Sequence, residues 1–183
     1  MKYAVIVVDM LKDSINSEEH FGISAEAKKI IPNVQKLLEN TRKKSMPVIY
    51  ACDSFMPEDF FFKGRMKPHS LRGTEGSKVV EELKPQEGDY VIEKRRMSSF
   101  FRTDLDITLR ELNIDTIVVS GIATQYCVLL TALDGIQNGF KVIILEDCCA
   151  SHKPELHQRV LETYRKTPFD PLWQIMKTCE FLS

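Results

Sequence analysis

Short apolar runs alternate with amphipathic stretches along most of this chain. Residues 3–8 (Y-A-V-I-V-V) form an unbroken apolar run, rich in β-branched side chains and closed by Asp9, which predicts a buried strand. Residues 30–42 repeat apolar side chains at helical spacing (Ile31, Val34, Leu37, Leu38), with Pro32 in the first turn, where its missing N–H is tolerated. Further strands are predicted over 47–52, 90–93, 115–120 and 141–145, with 178–182 a candidate last strand. Helices are predicted over 75–83, 104–112 (N-cap Thr103), 128–138 and 154–166.

Solid apolar strands alternating with helices indicate a sheet covered on both faces. The predicted fold is α/β: a three-layer αβα arrangement around a mostly parallel, six-stranded, Rossmann-like sheet, in one domain spanning 1–183. Open sheets of this kind bind ligands beyond the carboxyl ends of their strands. That rule singles out Asp9, Asp53, Lys94, the segment 121–127 and Asp147, each just after a predicted strand. Residues 53–74 lack clear periodicity, and a stretch of that length without regular structure is usually functional, here a candidate lid.

Composition narrows the function. With 43% hydrophobic and 28% charged residues, the chain of 183 has the make-up of an ordinary globular protein. A formal net charge of -1, its signs interspersed, leaves no basic surplus for nucleic acid or an anionic membrane. Five cysteines, at 52, 127, 148, 149 and 179, form no C-x-x-C pair and no metal-ligand spacing with the four histidines. An odd cysteine count without a secretory leader points to free thiols and a cytoplasmic location. The apolar run at 3–8 is too short for a signal-peptide core or a membrane span.

The candidate chemistry centres on Ser120 to Cys127, S-G-I-A-T-Q-Y-C, between a predicted strand and a helix. With Thr124 as N-cap, Cys127 becomes about the third helical residue, where the positive end of the helix dipole favours thiolate. The plainer reading, a small buried hydrophobe, stands beside it on this segment alone. Asp9 can take the thiol proton and hand it to a leaving amine, and Lys94 is a cation that favours thiolate and holds the carboxylate. A carboxylate at a strand end is often a cap and a lysine there is often solvated. The three at one sheet edge favour catalysis. Cys52, Cys148, Cys149 and Cys179 read as inert packing.

Six ordered motifs then carry a resemblance. V-V-D-M ending at Met10, H-S-L-R-G-T-E-G from His69, E-K-R-R-M-S-S-F-F from Glu93, G-I-A-T-Q-Y-C-V from Gly121, G-F-K-V from Gly139 and E-D-C-C-A-S from Glu146 resemble, over nearly the whole length, the cysteine hydrolases of the isochorismatase-like superfamily. That superfamily includes nicotinamidases and N-carbamoylsarcosine amidases. The resemblance implies a triad of Asp9, Lys94 and Cys127 and a cis peptide at Ile122-Ala123. It also implies an oxyanion hole from the amides of Ala123 and Cys127, and a homo-oligomer, dimer or tetramer. The implied reaction is hydrolysis of a small carboxamide or N-carbamoyl compound, releasing ammonia through a thioester, with no cofactor. Nicotinamidase activity, the vinyl-ether hydrolysis of isochorismatase and a non-catalytic oligomerising or thiol-redox module remain as alternatives.

Departures from the pattern qualify this. Nicotinamidases hold a metal with an Asp and two His just after the second strand, whereas here Asp53 is followed by S-F-M-P-E-D and no His occurs until His69. The Zn-type ligand set is absent, and no metal is expected. Leu11 and Leu133 replace a Gln and an Arg common in the family. For the substrate, Asp53, Phe55, Arg65, His69 and Arg72 are candidate contacts. The basic residues between 63 and 72 have no acidic partner inside that segment, which suggests a substrate carboxylate. Phe60 to Phe62 suit either the pocket lining or an oligomer interface, the interface being the reading preferred here.

Overall fold

The computed structural model describes residues 1–17 and 22–183. Six strands, β1 (Tyr3–Val8), β2 (Val48–Asp53), β3 (Tyr90–Lys94), β4 (Thr116–Ile122), β5 (Lys141–Ala150) and β6 (Trp173–Met176), form one sheet in the order β3-β2-β1-β4-β5-β6. Every adjacent pair is parallel. The helices are α1 (Lys12–Asn16), α2 (Ser24–Lys43), α3 (Leu105–Glu111), α4 (Leu129–Gln137), α5 (Pro154–Arg165) and α6 (Thr178–Leu182). None of them is long and apolar enough to cross a membrane.

Side-chain alternation along the strands builds two core layers. Val5, Val7, Tyr50 and Val118 pack with Val34, Leu37 and Leu38 of α2 on one face. Ala4, Ile6, Val8, Ile117 and Val119 pack with Leu105 and Leu109 of α3, Ala132 of α4 and Leu161 of α5 on the other. Both faces are buried along β1, β2 and β4, which is why those strands read as solid apolar runs. The strand order reverses direction between β1 and β4, and this switch point opens a crevice at the carboxyl edge.

Four predicted elements are corrected. The helix expected over 30–42 begins at Ser24, so Pro32 lies inside α2 and not in its first turn. Burial of Ala27, Ile30, Ile31 and Val34 along one face outweighs the ~3 kcal/mol cost of an interior proline. The helix expected over 75–83 breaks into turns at Glu75–Ser77 and Glu81–Leu83. Between them Val79 is drawn into an antiparallel bridge with Leu11, and Val80 N–H donates to the Met10 carbonyl at 3.1 Å. The last strand is Trp173–Met176, and 178–182 is helical. There the Glu180 carboxylate accepts from Lys177 N–H at 2.6 Å, and Asp147 Oδ1 accepts from Thr178 N–H at 2.8 Å. Thr124 is not the N-cap of a regular helix; its segment forms a wide turn described below.

The aperiodic stretch after β2 folds back over the sheet edge. Phe55 N–H donates to the Ser70 carbonyl at 3.0 Å, and Arg72 N–H to the Phe55 carbonyl at 2.9 Å. Asp13 of α1 fastens the same loop by accepting from Ser70 N–H at 2.7 Å.

Candidate active site

Three strand ends deliver the charged groups. Asp9, one residue past β1, has φ 51°. This left-handed conformation is uncommon outside glycine and often marks functional positions. Asp53 closes β2 and stands opposite Lys94 in the β2–β3 register. Lys94 Nζ lies 2.8 Å from Asp9 Oδ2 and 2.5 Å from Asp53 Oδ1, with its side chain 0% exposed. Asp9 Oδ1 accepts from Asp53 N–H at 2.8 Å. An ammonium this deep is tolerable only because two carboxylates hold it.

The fourth strand supplies the thiol. Gly121 has φ 110°, and a Cβ there would sit 2.0 Å from the Val8 carbonyl oxygen, so only glycine lets β4 press against β1 at this point. The Ile122-Ala123 peptide is cis. The Ala123 carbonyl accepts from Tyr126 N–H at 3.0 Å and Val128 N–H at 3.3 Å. Thr124–Val128 thus form one wide π turn before α4, a feature that recurs at functional sites. The Thr124 hydroxyl meets His157 Nδ1 at 2.8 Å. Cys127 therefore occupies a π turn and not the third position of a regular helix. Its Sγ lies within 4.8 Å of a carboxylate oxygen of Asp9 and of Asp53.

Electrostatics here correct the expectation of a resting thiolate. Burial, reinforced by the Asp9 and Asp53 charges and a hydrogen bond to Asp9, raises the Cys127 thiol well above its ordinary pKa, with Lys94 opposing. Burial alone would lower Lys94, but Asp53 and Asp9 more than offset it and hold it well above the usual lysine value. Burial and then Asp9 push Asp53 up to about 6. These surroundings favour the neutral thiol of Cys127 over the thiolate and keep Lys94 protonated. A proton must leave sulfur during attack, and Asp9 is within reach to take it.

Asp9, Asp53 and Cys127 floor a cavity of about 460 Å³. Its apolar lining comes from Ile23, Phe55, Phe61, Met66, Met97, Ile122, Ala123 and Tyr126, and its polar lining from Ser14, His69, Gln125 and His152 besides Asp9, Asp53 and Cys127. Of the five candidate contacts, Asp53, Phe55 and His69 line it. Arg65 and Arg72 do not. Arg65 is exposed. Arg72 donates to Ser54 Oγ at 2.9 Å and pairs with Glu93 at 3.2 Å. The acidic partner that Arg72 lacks inside 63–72 is Glu93 of β3.

The Phe triplet divides. Phe60 is 69% exposed, Phe61 lines the cavity, and Phe62 packs edge-on against Phe55 and His69 at 5.3 and 5.9 Å. Sequence reasoning missed Asp59, which is 3% exposed and binds the loop to the end of β3. It accepts from Arg95 at 2.7 Å, Arg96 at 3.2 Å and Met56 N–H at 2.8 Å. These contacts, Arg95 foremost, lower its pKa to about 2. Gln125 and Tyr126 lay inside the quoted cysteine motif and could have been singled out, while Met66, Met97 and His152 carry no local signal. Cys52, Cys148 and Cys149 are buried as expected, but Cys179 is exposed on α6.

A zinc site of the nicotinamidase kind does not fit these residues. Among the described residues, the side chains close enough to share an ion are Asp9, Asp53 and Cys127, with no imidazole. Lys94 already contacts both carboxylates.

A parallel αβα sheet with a thiol at its switch point, beside a buried Asp–Lys–Asp cluster, has the architecture of an α/β cysteine hydrolase. The chain belongs to the isochorismatase family, whose model, described as the isochorismatase domain, matches residues 3–172. It is similar to the crystal structure of an isochorismatase-like hydrolase from Alkaliphilus metalliredigens, with a TM-score of 0.87 and 33% identity over 100% of this chain and 98% of that one. An N-carbamoylsarcosine amidase from Thermoplasma acidophilum superimposes with a TM-score of 0.83, 32% identity and 97% of each chain covered. A ureidoacrylate amidohydrolase from Yersinia enterocolitica is 31% identical over 85% of this chain and 78% of its own length.

Proposed function

We propose that this chain is a cysteine-dependent amidohydrolase of the cytoplasm that cleaves a small carboxamide or N-carbamoyl compound and releases ammonia. The observation that supports this reading is that Asp9 and Cys127 line one cavity at the sheet's switch point while Lys94 contacts Asp9 from behind it. Relatives named as amidases and amidohydrolases support it.

In this mechanism Asp9 accepts the Cys127 proton as sulfur bonds to the amide carbon, and the carbonyl oxygen becomes an oxyanion. The amides of Ala123 and Cys127, on the turn that lines the cavity, stabilise that oxyanion. Asp9 returns the proton to the leaving nitrogen, the C–N bond breaks, and ammonia departs from a thioester. Water deprotonated by Asp9 then attacks the thioester, releasing the acid and restoring the thiol. Lys94 keeps Asp9 oriented and ionised between these transfers. A thiol that yields its proton only as it attacks is spared oxidation and alkylation until substrate arrives. A vinyl-ether hydrolase needs a proton donor and no nucleophile, so a sulfur held against Asp9 favours amide cleavage. A dimer or tetramer belongs to the same reading, supported by the exposure of Phe60.

The test is ammonia release from a panel of primary amides, ureas and carbamoyl amino acids. At least one should be turned over by wild type and none by Cys127→Ala. Turnover that survives Cys127→Ala would end the reading.

A further inference from the structure

The turn that carries Cys127 is held by a side chain outside the catalytic cavity. Thr124 opens the turn and is 1% exposed, and its hydroxyl meets Nδ1 of His157, on α5, at 2.8 Å. Buried hydroxyls are rarely left unsatisfied, and this one finds its partner on a separate element. The Ala123 carbonyl ties the turn into one piece by accepting from the amides of Tyr126 and Val128, on either side of Cys127. A displacement of Thr124 is therefore passed on to the sulfur. A second bond from the turn, between Gln125 Nε2 and His152 Nδ1, is longer at 3.3 Å and lies on the wall of the catalytic cavity itself.

His157 reaches the turn from behind. It is half-buried and borders a separate cavity of about 510 Å³ beside Glu146, Asp147 and Ser151, which shares no lining residue with the catalytic one. One helical turn on, Leu161 is buried in the same core layer as Val128 and Ala132. An apolar side chain at 157 would continue that packing, whereas the imidazole adds a hydrogen bond to it. Burial lowers the His157 pKa, against the pull of Glu146 and Glu26, so the neutral ring is favoured. Because the ring is only half-buried, its removal takes little from the core.

We propose that His157 is a positioning residue: through the Thr124 hydroxyl it fixes the turn that aims the Cys127 thiol at Asp9 and at the substrate carbon, itself touching no reacting atom. Its part in catalysis rests on the amidohydrolase reading, but its hold on the turn does not. Without this bond the fold survives, and the turn relaxes into positions in which the sulfur is badly placed for attack and more open to solvent. A misplacement of about 1 Å is enough to cost about a hundredfold in rate. Substrate binding changes much less, because Phe55, Phe61, Met66 and His69 line the cavity from the loop.

The experiment compares wild type with His157→Leu, His157→Asn, Thr124→Val and the Thr124→Val/His157→Leu double variant at about pH 8, where ordinary imidazoles are neutral. It reads turnover of an active amide and, separately, the rate at which iodoacetamide alkylates Cys127, followed by peptide mapping. His157→Leu and Thr124→Val should each lower kcat by about thirtyfold to a hundredfold, with KM within about twofold of wild type. Each should also speed Cys127 alkylation at least about fivefold. The double variant should be no worse than either single one, because both remove the same bond. His157→Asn should return both readouts to within about threefold of wild type, since its amide reaches the place of Nδ1 and can donate or accept. Thr124→Val, nearly isosteric, carries the test should His157→Leu fail to fold. A wild-type kcat, or an alkylation rate that is unchanged or slower, would overturn the proposal. So would additive losses in the double variant, no rescue by His157→Asn, or a rise in KM that accounts for the whole loss. Failure of the amidohydrolase reading is seen separately, as wild type releasing no ammonia in a Cys127-dependent way, and the alkylation rates then still decide whether His157 holds the turn.

Discussion

The floor and the wall of the cavity are built by opposite means. The floor consists of charged side chains at the tips of β1, β2 and β3, with the thiol just past β4, and its geometry follows from sheet register. The wall is contributed by a loop without regular periodicity, held by a parallel bridge at Phe55 and Leu71 and by the buried Asp59 carboxylate. A floor made by the sheet cannot move without unfolding its core, whereas a wall made by a loop can be altered with little cost to the fold. The first suits chemistry that must be positioned to fractions of an ångström, and the second suits selection among substrates.

The largest effect should come from the floor. Lys94→Met leaves two buried carboxylates facing each other with no cation, and should cost about 3–5 kcal/mol in urea unfolding together with all turnover. A variant of wild-type stability would mean that the cluster is solvated and that the floor is no more rigid than the wall.

Next comes pH. Asp53, pushed up to about 6 by burial and by Asp9, holds its proton more tightly folded than unfolded. Its contribution to stability therefore grows as pH falls from about 6 toward the unfolded value of about 4. Activity should move the other way. As Asp53 protonates, the charge that holds Lys94 in place is lost, so kcat/KM should fall as pH drops through about 6. Asp53→Asn should displace that acid limb. A limb unchanged in the variant would assign it to another group.

The wall should respond more gently. Asp59→Asn weakens the hold on Arg95 and Arg96 and loosens the Phe55–Phe61 pair. It should raise KM for a ring-bearing amide by about threefold to tenfold while leaving kcat for a minimal amide such as acetamide nearly unchanged. Restoration by Asp59→Glu would assign the effect to the carboxylate. Equal losses on both substrates would show that Asp59 serves the floor as well. The smallest effect is expected outside the cavity. Arg72→Ala breaks an exposed contact with Glu93 and should shift stability by no more than about 0.5 kcal/mol, with activity unaltered.

The same division explains what could be read from the chain. Asp9, Asp53, Lys94 and the Cys127 turn each follow an apolar run that marks a strand, so their place at one sheet edge was legible. The first five strands and the layer order were legible for the same reason. The thiol's protonation state was not, because it depends on burial and on two carboxylates whose distances no local pattern encodes. The π turn at Thr124–Val128 was hidden too, since its i→i+5 bonds have no residue signature and Thr124 also suits an ordinary cap. Arg72 misled because its partner, Glu93, lies on a neighbouring strand. The extension of α2 back to Ser24 was masked by Pro32, whose local meaning is a helix start. Packing overrode it.

One measurement tests the central claim most directly. Turnover of an active amide is quenched with acid in the steady state, and the protein is digested and mapped by mass spectrometry. An acyl group on the peptide bearing Cys127, removed by hydroxylamine and absent after Cys127→Ala, is the predicted result. Full turnover with no acyl adduct, or an adduct on Cys52, Cys148, Cys149 or Cys179 instead, would contradict a Cys127 thioester.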